Sequence, residues 1–514
     1  MKLHKIAASC ALVCAALSGQ AYAAAPSNGA FGTADLDVFL SGASAPQNIL
    51  SALAASMFES GYYSYNDDGG TFTAASTSDD GKQERAYYGV VKAGAGVDPS
   101  LVGQKVRLQH RARGGSVFGV DPVARATAIK NMKVAAANCV ATDAPTNTKF
   151  ACNEVGSDTN ALDANNRVPD FGVSDVEPSM FKFPYNTEFG QGQLTTTELG
   201  RLTWVPTNAV AFGVVATNSV PAGTYISRSV YGSMLSGSLQ DWSLVDATVT
   251  TNPQVVVCRR TPGSGTQATY NQFFNHFPCE SGSIAGTGSI TISRITDSAS
   301  YVLGTVTGVG TTASPYIINP NDGYTVVENP SSGNVRDCLK AAFNHTDYDF
   351  TSEDGVTKFR VKFSNSTSAF NAIGVLSLDS AGSESGWSFR NLDGIAPTKP
   401  NMRDGKYDLV SEATMQYRNG NNGSVALPAA KQLFVDAFIT RAGDPDVLLQ
   451  IDAEGVRNSV IAVPVGANDP NDATVVTHTV KVGGVPTVVT STLGSNVAKG
   501  THGGNTCTPI SVFY

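Results

Sequence analysis

The chain has 514 residues, 15% of them charged, with 51 glycines and a formal net charge of −8. An acidic balance of this size argues against nucleic acid or anionic lipid as a partner, because both are polyanions. It does not argue against a small anion, whose site works through a few local donors.

The first residues read as an export signal. Lys2 and Lys5 precede a short apolar core, Ile6 to Leu17, and Ala21-Tyr22-Ala23 is a small-x-small cleavage sequence. The core is too short to span a bilayer, which takes about 20 apolar residues. The expected product is therefore soluble, without stable membrane insertion, and lies in the periplasm or outside the cell. It is expected to start at Ala24 and to carry −10, since the signal holds two lysines and no acid. The remaining length suits two or three domains.

Helices are expected where apolar residues recur at three and four. Gln47 to Glu59 places Ile49, Leu50, Leu53, Met57 and Phe58 on one face, and Tyr270, Phe273, Phe274 and Phe277 repeat the spacing. Pro428 to Ile439 is a third candidate. Short apolar runs at Val210 to Ala216, Val255 to Cys258 and Ala372 to Leu378 read as buried strands. Helices interleaved with such strands indicate a layered α/β fold. Ser281 to Asn334 and Gly466 to Gly504 are rich in Gly, Ser, Thr and β-branched residues and read as β-rich insertions. Thr474 to Thr490 looks like a hairpin turning at Gly483-Gly484.

Six cysteines follow the signal: Cys139, Cys152, Cys258, Cys279, Cys338 and Cys507. An even count in an exported chain predicts disulfides. Proximity along the chain favours Cys139–Cys152 and Cys258–Cys279, leaving Cys338–Cys507. No C-x-x-C or H-x-x-x-H spacing supports a metal site, and no cofactor is expected.

Three Gly-rich, hydroxyl-bearing turns lead into helix-like runs: Ser41-Gly42-Ala43-Ser44-Ala45-Pro46, Gly114-Gly115-Ser116, and Pro262-Gly263-Ser264-Gly265-Thr266. A helix start offers free N–H groups and a positive dipole end, glycine allows close approach, and hydroxyls add donors. Proteins hold oxyanions in this way. Arg260, at the end of an apolar strand and just before the third turn, can fork onto a tetrahedral anion. Asp175 would repel a fully ionised anion. It fits a ligand that still carries a proton, as hydrogen phosphate does, and would reject sulfate.

The same residues resemble the phosphate-binding component of bacterial phosphate ABC transporters. Gly42-Ala43-Ser44-Ala45-Pro46 resembles that family's G-A-T-F-P turn, Gly115-Ser116 its second turn, and Gly172-Val173-Ser174-Asp175 its G-A-S-D. Arg260-Thr261-Pro262-Gly263-Ser264-Gly265-Thr266 resembles R-A-D-G-S-G-T. Trp204 to Val215, Leu235 to Trp242 and Asn371 to Val375 resemble scaffold segments in the same order. The resemblance implies a two-lobed periplasmic-binding-protein type 2 fold with a ligand cleft between the lobes. It implies phosphate bound by Ser44, Ala45, Ser116, Asp175, Arg260, Ser264, Gly265 and Thr266, with an ABC permease as a further partner. Ser44 stands for the usual Thr, Ala45 for Phe, and Pro262 for an Asp that partners the Arg. One lobe is expected over 26–218 with 397–514, the other over 219–396 including the insertion 281–334. A monomer without catalytic residues is expected. A phosphatase would need a metal cluster or an activated nucleophile, and no G-x-S-x-G or H-E-x-x-H is present. A secreted binding or surface-interaction protein uncoupled from transport is the other reading, prompted by the β-rich segments.

Overall fold

The computed structural model describes residues 25–67, 83–280 and 307–451, except 95, 158–159, 161, 184, 188–192, 353–355, 383, 404–405, 445–446 and 449. Beyond these it describes the strand pairs 475–482 with 485–492 and 500–501 with 511–512, together with 460–461 and 505–507. The export signal, residues 281–306 and the Gly483-Gly484 turn lie outside the described residues.

Eight strands and four helices position the site. They are β1 (Leu36–Gly42), α1 (Gln47–Ser56), β2 (Lys105–Arg111), β3 (Phe171–Ser174), β4 (Leu202–Thr217), β5 (Val256–Arg260), α2 (Gly265–Asn275), β6 (Thr325–Asn329), α3 (Ser332–Asn344), β7 (Ala372–Ser377), β8 (Val410–Arg418) and α4 (Ala429–Ala442). They run β6-β5-β7-β4-β8-β3-β1-β2 across one mixed sheet, which continues past β2 into four outer strands. The fold is thus α/β, with a large mixed sheet. Parallel pairs join β1 to β2 and β3, and β5 to β6 and β7, while β4 and β8 run antiparallel to their neighbours.

The 16-residue strand β4 connects two halves. Its first part, to Ala211, pairs with β8, and its last part, from Phe212, pairs with β7. The register shifts between Pro206 and Asn208. Proline lacks the donor a ladder needs, so a bulge is the usual place for it inside a sheet. The chain returns to the first half beside this crossing, where the Phe212 N–H donates to the Leu409 carbonyl at 3.1 Å.

Each half has its own core. In the first, α1 packs Ile49, Leu50 and Leu53 against Val38, Leu40 and the α4 residues Phe434 and Phe438. In the second, β5 alternates with the strand period. Val255 and Val257 face Tyr270 and Phe274 of α2, and Val256 and Cys258 face Val335 and Leu339 of α3. Phe273 packs only partly buried against the first of these clusters. Phe277 is buried but lies past the helix end, after His276 in a left-handed conformation.

Two expectations need correction. Cys139–Cys152 is bonded, but the other pairs are Cys258–Cys338 and Cys279–Cys507. Cys258 points to the α3 face of β5, whereas Cys279 follows α2 on the opposite face, so nearness in sequence misleads. The 281–334 region is also not wholly an insertion. Thr325–Asn329 is β6, paired in parallel with β5 from Val256↔Thr325 to Arg260↔Asn329, and α3 begins at Ser332. At the C-terminal end, strands Val475–Val482 and Val485–Thr492 pair antiparallel, the expected hairpin.

Candidate functional site

The parallel pair β1 and β3 and the parallel pair β5 and β6, which run in opposite senses across the sheet, deliver their C-terminal ends to one place. Such an edge is where open α/β sheets bind ligands, because loops and helix N-termini collect there. Beyond β1 lies the turn ending at Pro46, which precedes α1. β3 leads into Asp175, and β5 ends at Arg260 and turns into α2. After β6, Pro330 and Ser331 lead into α3. The second Gly-rich turn enters a short 3₁₀ segment, Ser116–Gly119, rather than a full helix.

Close packing requires the glycines here. Gly42 has φ +129, and a side chain there would run into the Val173 carbonyl. Gly265 has no room for one either: a Cβ would overlap Ser116 Oγ and lie 2.7 Å from Asp175 Cβ. The turns also bond to one another. Ala43 N–H donates to the Val173 carbonyl at 2.9 Å, and Val117 N–H to the Gly263 carbonyl at 2.9 Å. These bonds place Ser44, Ser116 and Ser264, which are 72 to 220 positions apart in the chain, around one centre.

Arg260 is 1% exposed. Its Nε donates to the Asn329 carbonyl at 3.2 Å and its Nη2 to the Pro330 carbonyl at 2.9 Å. Nη1 reaches Ser44 Oγ and Ser332 Oγ, each at 3.3 Å. The β6–α3 turn therefore holds the guanidinium by carbonyls and a hydroxyl, although Pro262 supplies no carboxylate.

The hydroxyls share one property. Ser44 and Ser332 accept from Arg260, Ser116 Oγ accepts from the Asp175 N–H at 3.1 Å, and Ser264 Oγ accepts from the Gln267 N–H at 3.3 Å. None of the four donates to a protein acceptor among the described residues. A hydroxyl has one proton to give, so four hydroxyl donors remain around the buried Arg260 cation. Ser264 is the N-cap of α2, and the N–H groups of Gly265 and Thr266 belong to its first turn, where no intrahelical acceptor exists. Ala45 is buried behind Ser44, with its methyl group in the core of the second half.

Asp175 is 2% exposed. Its Oδ2 accepts from Thr266 Oγ1 at 3.2 Å, and its Oδ1 has no hydrogen-bond partner among the described residues. Burial raises its pKa to about 7, against the pull of Arg260 and Thr266, and Asp379 adds to the rise. The site thus combines an excess of donors with one unfilled acceptor. That pattern suits an anion bearing a proton.

Sequence reading missed Ser332, the carbonyls of Asn329 and Pro330, and Asp379. A signal for the first was present. Pro330-Ser331-Ser332-Gly333 is a fourth hydroxyl and glycine turn before a helix, hidden inside a region read as β-rich. Asp379 follows the buried strand β7 and accepts from Ser377 Oγ. Nothing in its local sequence marks it.

No family model and no curated protein matches the chain. Among solved structures, it is similar to a candidate phosphate ABC transporter substrate-binding protein from Clostridium perfringens, solved with bound phosphate. That match has 12% identity and a TM-score of 0.36, over 83% of this chain and 100% of that one. It is also similar to PstS from Borrelia burgdorferi, at 11% identity and TM-score 0.30 over 78% and 92%. An ABC-type phosphate transport receptor from Vibrio cholerae matches at 14% identity and TM-score 0.26 over 53% and 74%.

Proposed function

We propose that the chain is an exported binding protein for a protonated oxyanion, inorganic phosphate, and that it catalyses no reaction on it. The observation that supports this reading is the set of four serine hydroxyls around Arg260 without protein acceptors among the described residues, beside the unfilled Oδ1 of Asp175. Hydrogen phosphate meets both kinds of group. Its oxygens accept from the hydroxyls, the guanidinium and the α2 N–H groups, and its proton is given to Asp175. Sulfate leaves Asp175 unmatched wherever that carboxyl is ionised, and an unmet buried acceptor costs roughly 1–3 kcal/mol.

The ligand contacts in this reading are Ser44, the Ala45 backbone, Ser116, Asp175, Arg260, Ser264, Gly265 and Thr266, to which the structure suggests adding Ser332. The two halves act as lobes, expected over 26–218 with 397–514 and over 219–396 and here divided at the crossings near Ala211–Phe212 and Leu409, that close on the anion by a hinge motion. The protein works as a monomer in the periplasm or outside the cell, and an ABC permease is the partner that would take the ligand from it. The test is calorimetry on phosphate-free protein with phosphate and sulfate. One phosphate per chain and preference over sulfate are expected. Absence of heat at millimolar phosphate would overturn the proposal.

A further inference from the structure

Helix α2 does more than point its N-terminus at the centre of the site. Its outer face lies on the segment that follows Asp175 in the first half. Thr266 bonds Asp175, Gln267 Nε2 donates to the Tyr185 carbonyl at 3.1 Å, and Asn271 Nδ2 donates to Asn186 Oδ1 at 2.8 Å. Ala268 packs in one cluster with Val176, Met180 and Phe181, and the Tyr185 ring meets Phe277 at 5.2 Å.

A covalent bond fastens the far end of this contact. Cys279, just past α2, is bonded to Cys507, at a sequence separation of 228. Residues 505–507 lie between the paired strands Gly500–Thr501 and Ser511–Val512. Their tip is fixed to the first half, where the Thr506 N–H donates to Glu177 Oε1 at 2.9 Å and the Thr506 hydroxyl donates to Glu177 Oε2. Cys507 Sγ also lies 3.9 Å from Met180 Sδ. Glu177 is buried and stands two residues after Asp175.

Among the described residues, the other covalent links between the halves are two adjacent chain crossings, at Ala211–Phe212 and at Leu409. Two neighbouring crossings let one half turn about the other. Cys279 packs in the cluster that holds Leu202 and Trp204, at the other end of β4 from the crossing. Trp204 is about 26 Å along the strand from Phe212, at roughly 3.3 Å per residue. A tie at that distance from the crossings opposes rotation more than one beside them.

We propose that Cys279–Cys507, anchored on Glu177, is a strap that holds the cleft shut over its ligand and limits how fast the ligand leaves. This rests on the anion-binding reading for its ligand but not for its mechanics. The decisive measurement is the release of labelled inorganic phosphate from the full mature chain after a chase with unlabelled phosphate. The Cys279→Ser/Cys507→Ser variant should release about tenfold faster than wild type, since changes confined to one complex act mainly on dissociation. Glu177→Gln should release faster by a smaller factor. Cys139→Ser/Cys152→Ser, whose bond joins two outer strands, should match wild type. A folded Cys279→Ser/Cys507→Ser protein that releases phosphate at the wild-type rate overturns the strap. If that variant does not fold, Glu177→Gln decides by the same comparison. If wild type binds no phosphate, the ligand reading fails and amide hydrogen exchange tests the strap alone. Residues 176–187 and 266–277 should exchange faster once the strap is cut, and equal exchange overturns it.

Discussion

At the residue scale, Arg260 and Asp175 divide affinity from selectivity. Arg260 is a buried permanent cation, so Arg260→Ala should weaken every oxyanion. Loss of a charge-assisted contact in a dry interface costs roughly 2–5 kcal/mol, or about one to four decades in affinity. Asp175→Asn should lower phosphate affinity and raise sulfate affinity, because the amide can donate where the carboxylate only accepts. Paired titrations of both anions read this out, and an unchanged phosphate-to-sulfate ratio would remove Asp175 from the site. The same residue predicts a pH effect on the ligand-free protein. Its carboxyl titrates near 7 when folded, against an ordinary value of 3.8. The folded state therefore holds its proton more tightly, and Asp175 contributes stability below pH 4 that is lost as the pH rises to about 7. His110 acts in the opposite sense. Burial lowers its pKa to about 3, so its contribution is present above its unfolded value and lost as the pH falls. The measurement that isolates Asp175 is the difference in Tm between wild type and Asp175→Asn. Wild type should lose ground to the variant between pH 4 and pH 7.

At the scale of elements, the site depends on how closely three turns approach one another. Gly265→Ala puts a methyl group into Ser116 Oγ and against Asp175 Cβ and Oδ2, side chains that are both buried. Overpacking of this kind typically costs 1–3 kcal/mol. Phosphate binding should fall by at least about tenfold with it, since roughly 1.4 kcal/mol is one decade. Thermal unfolding and titration of the one variant check both. Gly223 is exposed, and a Cβ added there would meet nothing within 4 Å. Gly223→Ala is therefore the matched control and should change neither. The Cys258–Cys338 bond joins β5 to α3 beneath Arg260. Replacing both cysteines by serine should lower stability by about 2–4 kcal/mol, with Tm as the readout.

At the scale of the whole molecule, two halves with separate cores share one sheet, and their meeting edge holds the candidate site. A ligand gripped by both halves adds to the stability of the native state by mass action, about 2.7 kcal/mol at a hundredfold excess over Kd. Tm should therefore rise with phosphate concentration and should not respond equally to sulfate. A Tm indifferent to phosphate would separate the fold from the proposed ligand.

The sequence by itself determined the α/β class, the helices beginning at Gln47 and Gly265, and the strands around Val210, Val255 and Ala372. Each of these is a local pattern of apolar spacing, caps and turn residues, and such patterns are legible because side-chain period follows backbone geometry. It also marked Ser44, Ser116, Asp175, Arg260 and Ser264 as groups able to face an anion, since donor chemistry and glycine turns are written in adjacent residues. Tertiary structure alone decided that these groups meet, because they come from four strands far apart in the chain. It decided that carbonyls of Asn329 and Pro330 hold Arg260 where Pro262 cannot, and that Ser332 joins the donors. It also decided the cysteine partners. Cys258 is paired by the face of β5 on which it stands and not by its distance along the chain to Cys279. Strand alternation sets that face, and only the packing of α2 and α3 on opposite sides of the sheet shows which helix it meets.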